Sequence, residues 1–224
     1  MNKFLRGACF AAALVISAST LFGCKKDISE ELSIITEVSD EALGITEGEI
    51  LVNETIKVEK AIEGVVQNGN IETYVVFSNG PENPDFELQR NEYAGDSEIA
   101  PVYTFVKSGE IMFELFDGVG EEVDTAPDIY EALRIDFDAD DIKSLESSIA
   151  EKGNTCYTLT MIGDYADKYD SSADGADFDC TEVVICYYIN SLGKLTKRTC
   201  EITSTLTVNG EAQTVTRFIE SKIA

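Results

Sequence analysis

The 224-residue chain contains no histidine and no tryptophan, and only four prolines and three methionines. Without histidine, Ser-His and Cys-His nucleophile pairs cannot be assembled, and most zinc sites lose their usual nitrogen ligand. Enzyme hypotheses shrink to carboxylate or lysine chemistry, and with 42 acids in the chain the adjacency of two carboxylates carries no weight. A glycine-rich phosphate loop ahead of a helix and a Gly-x-Ser-x-Gly elbow are missing too, so the chain reads as a non-enzyme with no cofactor. Positive charge is scarce: 17 Lys and Arg stand against 42 Asp and Glu. Nucleic-acid affinity comes largely from Lys and Arg displacing condensed counterions, which excludes DNA and RNA as partners.

What is present begins with Phe10 to Cys24, FAAALVISASTLFGC. Lys3 and Arg6 precede it, giving the cationic head and short apolar run of a secretory signal. The run is shorter than the roughly 20 residues of a spanning helix. Its end resembles the lipobox of bacterial lipoproteins: Leu21, Gly23 and Cys24 fit, while Phe22 stands where a small residue is usual. That resemblance implies cleavage before Cys24, acylation of its sulfur and a lipid anchor on the extracytoplasmic face of a bacterial envelope membrane. The alternative is plain secretion, with cleavage near Ser17 to Ser19 and Cys24 left as a thiol. Removing residues 1–23 takes two basic residues and no acid, so the net charge moves from -25 to -27. Such a surface is repelled by anionic headgroups, which leaves membrane contact to the acyl chains.

Residues 24–49 read as a lipidated N-terminus and acidic tether, with at most a marginal helix at Ser39 to Leu43. Residues 50–224 read as one domain, long enough to bury a core without disulfides. The spacing Leu51, Thr55, Val58, Ile62, Val65 predicts an amphipathic helix over Leu51 to Val66. A hairpin at Asn68-Gly69 is the competing reading. Strands are expected at Ile71 to Ser78, at a short edge near Phe86 to Gln89, and in the hairpin of Val102 to Val106 with Glu110 to Phe116. A short helix at Asp128 to Leu133 follows Pro127. Ile142 to Glu151 and Thr155 to Ile162 read as a hairpin, with a helix the alternative for Ile142 to Ala150. Thr181 to Ile189, Lys194 to Val208 and Gln213 to Glu220 complete the strands, and Thr181 to Ile189, apolar on both faces, is expected to be covered on both. The fold class is therefore α+β: a curved antiparallel sheet of about seven to nine strands, a half-barrel meander, wrapped over one long and one short helix.

This order of elements resembles the LolA/LppX-like superfamily of bacterial envelope proteins. The lipobox, the helix leading into Ile71 to Ser78, GNTCYTLTM at Gly153 to Met161 and YYINSLGKLTKRTCEIT at Tyr187 to Thr203 carry the resemblance. It implies an apolar cavity between sheet and helices that holds lipid or acyl chains. It transfers no functional residue. The expected partners are the membrane, through the lipid on Cys24, and a lipid-like ligand. The second reading is a surface module with a solid core that binds an envelope protein or polymer.

Two further groups stand out. Cys156, Cys180, Cys186 and Cys200 form an even set, which in an oxidising compartment favours bridges. With Ile189 facing Leu195 across the turn, Cys186 faces Arg198, and Cys200 lies one diagonal step away. A Cys186–Cys200 bridge then needs a small register shift or bulge, and Cys156–Cys180 would clip the acidic loop between their strands. Buried free thiols are the alternative. In that loop, Asp170, Ser172 and Asp174 before Gly175 resemble the start of a calcium site. The closing Glu is missing where Thr181 stands, and a solvated acidic loop is the competing reading.

Overall fold

The computed structural model describes residues 28–61, 67–94, 97–98, 102–173 and 176–224, with backbone alone for 97–98 and 171–173. The signal segment, Cys24 and Asp174 lie outside the described residues.

Helix α1, Ser29–Leu43, is the first element of the described residues. Its buried residues Ile35, Val38, Ser39 and Ala42 recur at helical spacing, while Glu30 and Glu31 stand in the first turn, where the helix dipole favours acids. The stretch read as a tether is thus a helix packed on the sheet. Two antiparallel runs of strands follow. The first comprises β1 (Gly48–Val58), β2 (Gly69–Ser78), β3 (Asp85–Ala94), β4 (Ser97–Glu98), β5 (Tyr103–Ser108), β6 (Ile111–Phe116) and β7 (Val119–Glu122). The second comprises β8 (Ile142–Ile149), β9 (Thr155–Met161), β10 (Ser171–Ala173), β11 (Ala176–Ile189), β12 (Leu195–Val208) and β13 (Glu211–Ile223). A single helical turn, α2 (Gly163–Ala166), stands between β9 and β10.

The strand order is β7-β6-β5-β3-β2-β1-β13-β12-β11-β9-β8, with β4 and β10 as short additions on β3 and β11. This overturns the expected half-barrel of seven to nine strands over a long helix. The sheet is one open antiparallel path of eleven strands, and its end strands β7 and β8 are not paired to each other. The expected helix over Leu51 to Val66 is, as far as residue 61, strand β1 and the bend after it. Ile50, Val52, Ile56 and Val58 alternate along β1, and pairing with both β2 and β13 satisfies its backbone on both edges. The edge strand near Phe86 is the ten-residue interior strand β3.

Because β7 and β8 lie at opposite ends, the chain between them must cross the whole sheet. Ten spacings of about 4.8 Å make that path roughly 50 Å along the sheet. The 19 residues from Val123 to Asp141 reach about 60 Å when extended, so they span it with little slack. The expected helix at Asp128 to Leu133 is reduced to one 3-10 turn, Glu131–Leu133. The crossing segment, here called the strap, plugs its apolar side chains into the inner face: Ile129, Tyr130 and Leu133 join one core cluster, and Phe137 joins another. Helix α1 bridges the same two clusters, with Ile35 in one and Leu43 against the other.

On β11, Val183, Ile185, Tyr187 and Ile189 point into this core and are buried. Their neighbours Val184, Cys186 and Tyr188 point to the outer face and are half-buried, so only one side of the strand is covered by another layer.

Candidate functional site

One register row crosses most of the sheet: Tyr187 pairs with Arg198, Arg198 with Ser221, Ser221 with Val52, Val52 with Thr73, Thr73 with Arg90, Arg90 with Tyr103 and Tyr103 with Phe116. All face the strap. At the Tyr187 end the strap sits down on the row. The Arg198 guanidinium, 7% exposed, donates to the Tyr187 hydroxyl at 3.3 Å and to the Ala132 carbonyl at 3.1 Å.

From Val52 to Phe116 the strap stands off, leaving a half-open cleft of about 550 Å³. Val52, Val75, Leu88, Tyr103 and Phe116 form its floor, and Pro127, Ile129 and Ala132 its roof. Val75 and Leu88 are buried, whereas Phe116, 49% exposed and tilted against Tyr103 at 5.3 Å between rings, forms an apolar lip. Polar groups gather at the rim: Arg90, Glu92, Glu114, Asp128 and Glu131. Arg90 is ion-paired to Glu92 at 2.7 Å, and Asp128 to Arg134 at 3.0 Å. Burial, then the neighbouring Glu114, pushes the Tyr103 phenol above its ordinary range, so it stays protonated beside that carboxylate. An apolar floor with a few convergent polar groups is the composition of a small-molecule site, and the volume falls within the usual few hundred to about 1,000 Å³.

A second polar group lies where the strap meets α2. Asp136 accepts from the Tyr165 hydroxyl at 2.7 Å and from Lys168 at 2.5 Å. Burial works to raise its pKa, but hydrogen bonds from Lys168 and Tyr165 outweigh this and hold the carboxyl below its ordinary value.

The four cysteines are free thiols here. A register shift occurs in the β11–β12 hairpin at Tyr188/Ile189, and it sets Cys186 opposite Thr199 and Ile185 opposite Cys200. Cys200 therefore sits in the core while Cys186 points outward, and the sheet lies between them. Cys156 is opposite Tyr188, eight residues along β11 from Cys180, roughly 26 Å of strand. Instead, the thiols of Cys156 and Cys186 meet one hydroxyl on the outer face, that of Thr158, at 3.7 and 3.6 Å. Asp170 accepts the Cys180 backbone N–H at 2.7 Å, which closes the acidic loop from inside. The backbone of Ser172 pairs with Asp177. Among the described residues no group of three or more His, Cys, Asp or Glu is placed to hold a metal ion. Nor is any described helix long and apolar enough to cross a membrane.

The cleft was not singled out from the sequence. Its floor is drawn from five strands, and only the pairing registers bring Val52, Val75, Leu88, Tyr103 and Phe116 together.

No family model matches the chain, and no curated protein does. Among solved structures, LprF from Mycobacterium bovis aligns over 87% of this chain and 91% of its own at a TM-score of 0.42 and 12% identity.

Proposed function

We propose that this protein is a lipid-anchored, extracytoplasmic envelope lipoprotein, not an enzyme, and that it holds an apolar, lipid-like ligand in the cleft between the strap and strands β1 to β6. The cleft itself carries this reading: about 550 Å³, floored by Val75, Leu88 and Tyr103, roofed by Ile129, and open past Phe116. Such a hollow shelters an acyl chain or comparable apolar body from water at about 25 cal/mol per Å² of apolar surface buried, while the polar rim stays wet with the ligand's head. The lipobox-like Leu21, Gly23 and Cys24 support the anchor, with Cys24 as the acylated residue and the membrane as first partner.

Two measurements test the two halves. Titration of the delipidated chain with a fluorescent fatty acid or fatty amine is expected to saturate, and Thr73→Phe, which grows a ring from the cleft floor, is expected to weaken binding at least tenfold. Absence of saturable binding by either probe refutes the ligand. Mass spectrometry of the chain purified from membranes is expected to find an N-terminal Cys24 carrying acyl chains; a chain that keeps Met1, or an unmodified thiol at Cys24, refutes the anchor.

A further inference from the structure

We propose that Cys156 and Cys186 form a redox-active dithiol on the outer face of the sheet, with Cys186 attacking and Cys156 resolving, closed to an internal disulfide by exchange with a disulfide-bearing oxidant. The pairing of β9 with β11 puts Thr158 opposite Cys186 and Cys156 opposite Tyr188, so the two cysteines are diagonal neighbours on one face. Both sulfurs reach the Thr158 hydroxyl, at 3.7 and 3.6 Å. No other described cysteine shares this place, since Cys200 is on the far face and Cys180 lies six residues back along β11.

The division of labour follows from exposure. Cys186 is half-buried and the more exposed of the two, whereas Cys156 is only 6% exposed. Cys156 is buried on the outer face, apart from the three core clusters of the described residues. Hydrogen bonds lower the Cys186 thiol from its ordinary value, against burial and the repulsion of Glu201, while the neighbouring Cys186 and burial push Cys156 up.

The exchange balances. The Cys186 thiolate attacks one sulfur of the oxidant, forming a mixed disulfide and releasing the first thiolate. Cys156 gives up its proton and attacks the Cys186 sulfur, which expels the second. The protein loses two hydrogens, and the oxidant leaves as two thiols. Diagonal neighbours stand about 7–8 Å apart between Cα atoms, slightly beyond the usual disulfide span, so closure draws β9 and β11 together. Strained, accessible bridges are the readily reduced ones, which makes this a reversible pair and not a permanent staple.

The test uses the full chain, reduced and then treated with glutathione disulfide at pH 7, followed by peptide mapping without reductant. The expected product is two hydrogens lighter, with Cys156 and Cys186 cross-linked. Cys156→Ser should stop at a glutathione adduct on Cys186, and Cys186→Ser should give neither product. Alkylation by iodoacetamide supplies a readout that does not depend on closure. Between pH 6 and 8 the rate at Cys186 should rise much less steeply than at Cys180, whose thiol burial pushes up. A bridge to Cys180 or Cys200, no oxidation at all, or an equally steep pH rise at Cys186 overturns the proposal.

Discussion

Arg198 and Tyr187 stand opposite each other on β12 and β11, and the arginine donates to the tyrosine hydroxyl at 3.3 Å while its other arm holds the Ala132 carbonyl of the strap. One buried side chain thereby ties the roof of the cleft to its floor. Arg198→Met keeps the apolar stem and removes both bonds. At about 1 kcal/mol for each hydrogen bond lost, stability should fall by about 2 kcal/mol. Hydrogen exchange should quicken in the strap from Tyr130 to Arg134 before it does in β12. Unchanged protection of the strap would show that its apolar plugs alone hold it.

At the cleft rim Arg90 pairs with Glu92 and Arg134 with Asp128, so the acidic excess rests on Glu114 and Glu131. A cationic or neutral head should therefore be preferred to an anionic one. A long-chain amine is expected to bind more tightly than the fatty acid of equal length, and Glu114→Gln should narrow the gap. Calorimetry at two salt concentrations checks this. Tighter binding of the fatty acid in the unmodified protein would mean that the head does not sit at this rim.

Glu54 on β1 and Arg217 on β13 form a two-pronged ion pair, at 2.6 and 2.8 Å, with the Glu54 side chain only 13% exposed. Arg217→Met leaves that carboxylate short of two charge-assisted bonds and should cost about 2 kcal/mol. Urea unfolding at pH 7 measures it. Arg217→Lys should recover part of the loss but not all, because an ammonium cannot reproduce the parallel pair of donors.

Asp136 is held below its ordinary pKa in the folded protein, so it binds its proton more readily when unfolded. Its contribution to stability is present above the unfolded carboxylate value, about 3.9, and is lost as pH falls through the lower folded value. With half its side chain exposed, that contribution stays below about 1 kcal/mol. Tyr165→Phe removes one of the bonds responsible. The variant should lose less stability than the parent between pH 4 and pH 2, and thermal melts across that window decide it.

Much of the second run of strands was legible in the sequence. Asn190 to Gly193 reads as a turn, and it forms one: the Asn190 side chain accepts from the backbones of Leu192 and Lys194, while Gly193 takes φ +76°. The paired alternation on either side of it made β11 and β12 visible. Strand β1 was not, because Leu51, Thr55 and Val58 fit a helical stripe as well as Ile50, Val52 and Ile56 fit a pleat. The partner that decides between them, β13, lies at the other end of the sequence. Helix α1 was hidden by its acids, since three buried apolar residues among five carboxylates look like tether until a sheet receives them. The relation of Cys186 to Cys200 turned on a single shifted pair at Tyr188/Ile189, a local irregularity that pattern alone cannot position.

The place of β13 between β1 and β12 has a consequence in time. Glu54 must wait 163 residues for Arg217, and until then the seam edge of β1 has no strand to zip onto. The early half of a newly made chain is therefore a sheet with one raw edge, and its assembly is a late event governed by the slow closure of a very long loop.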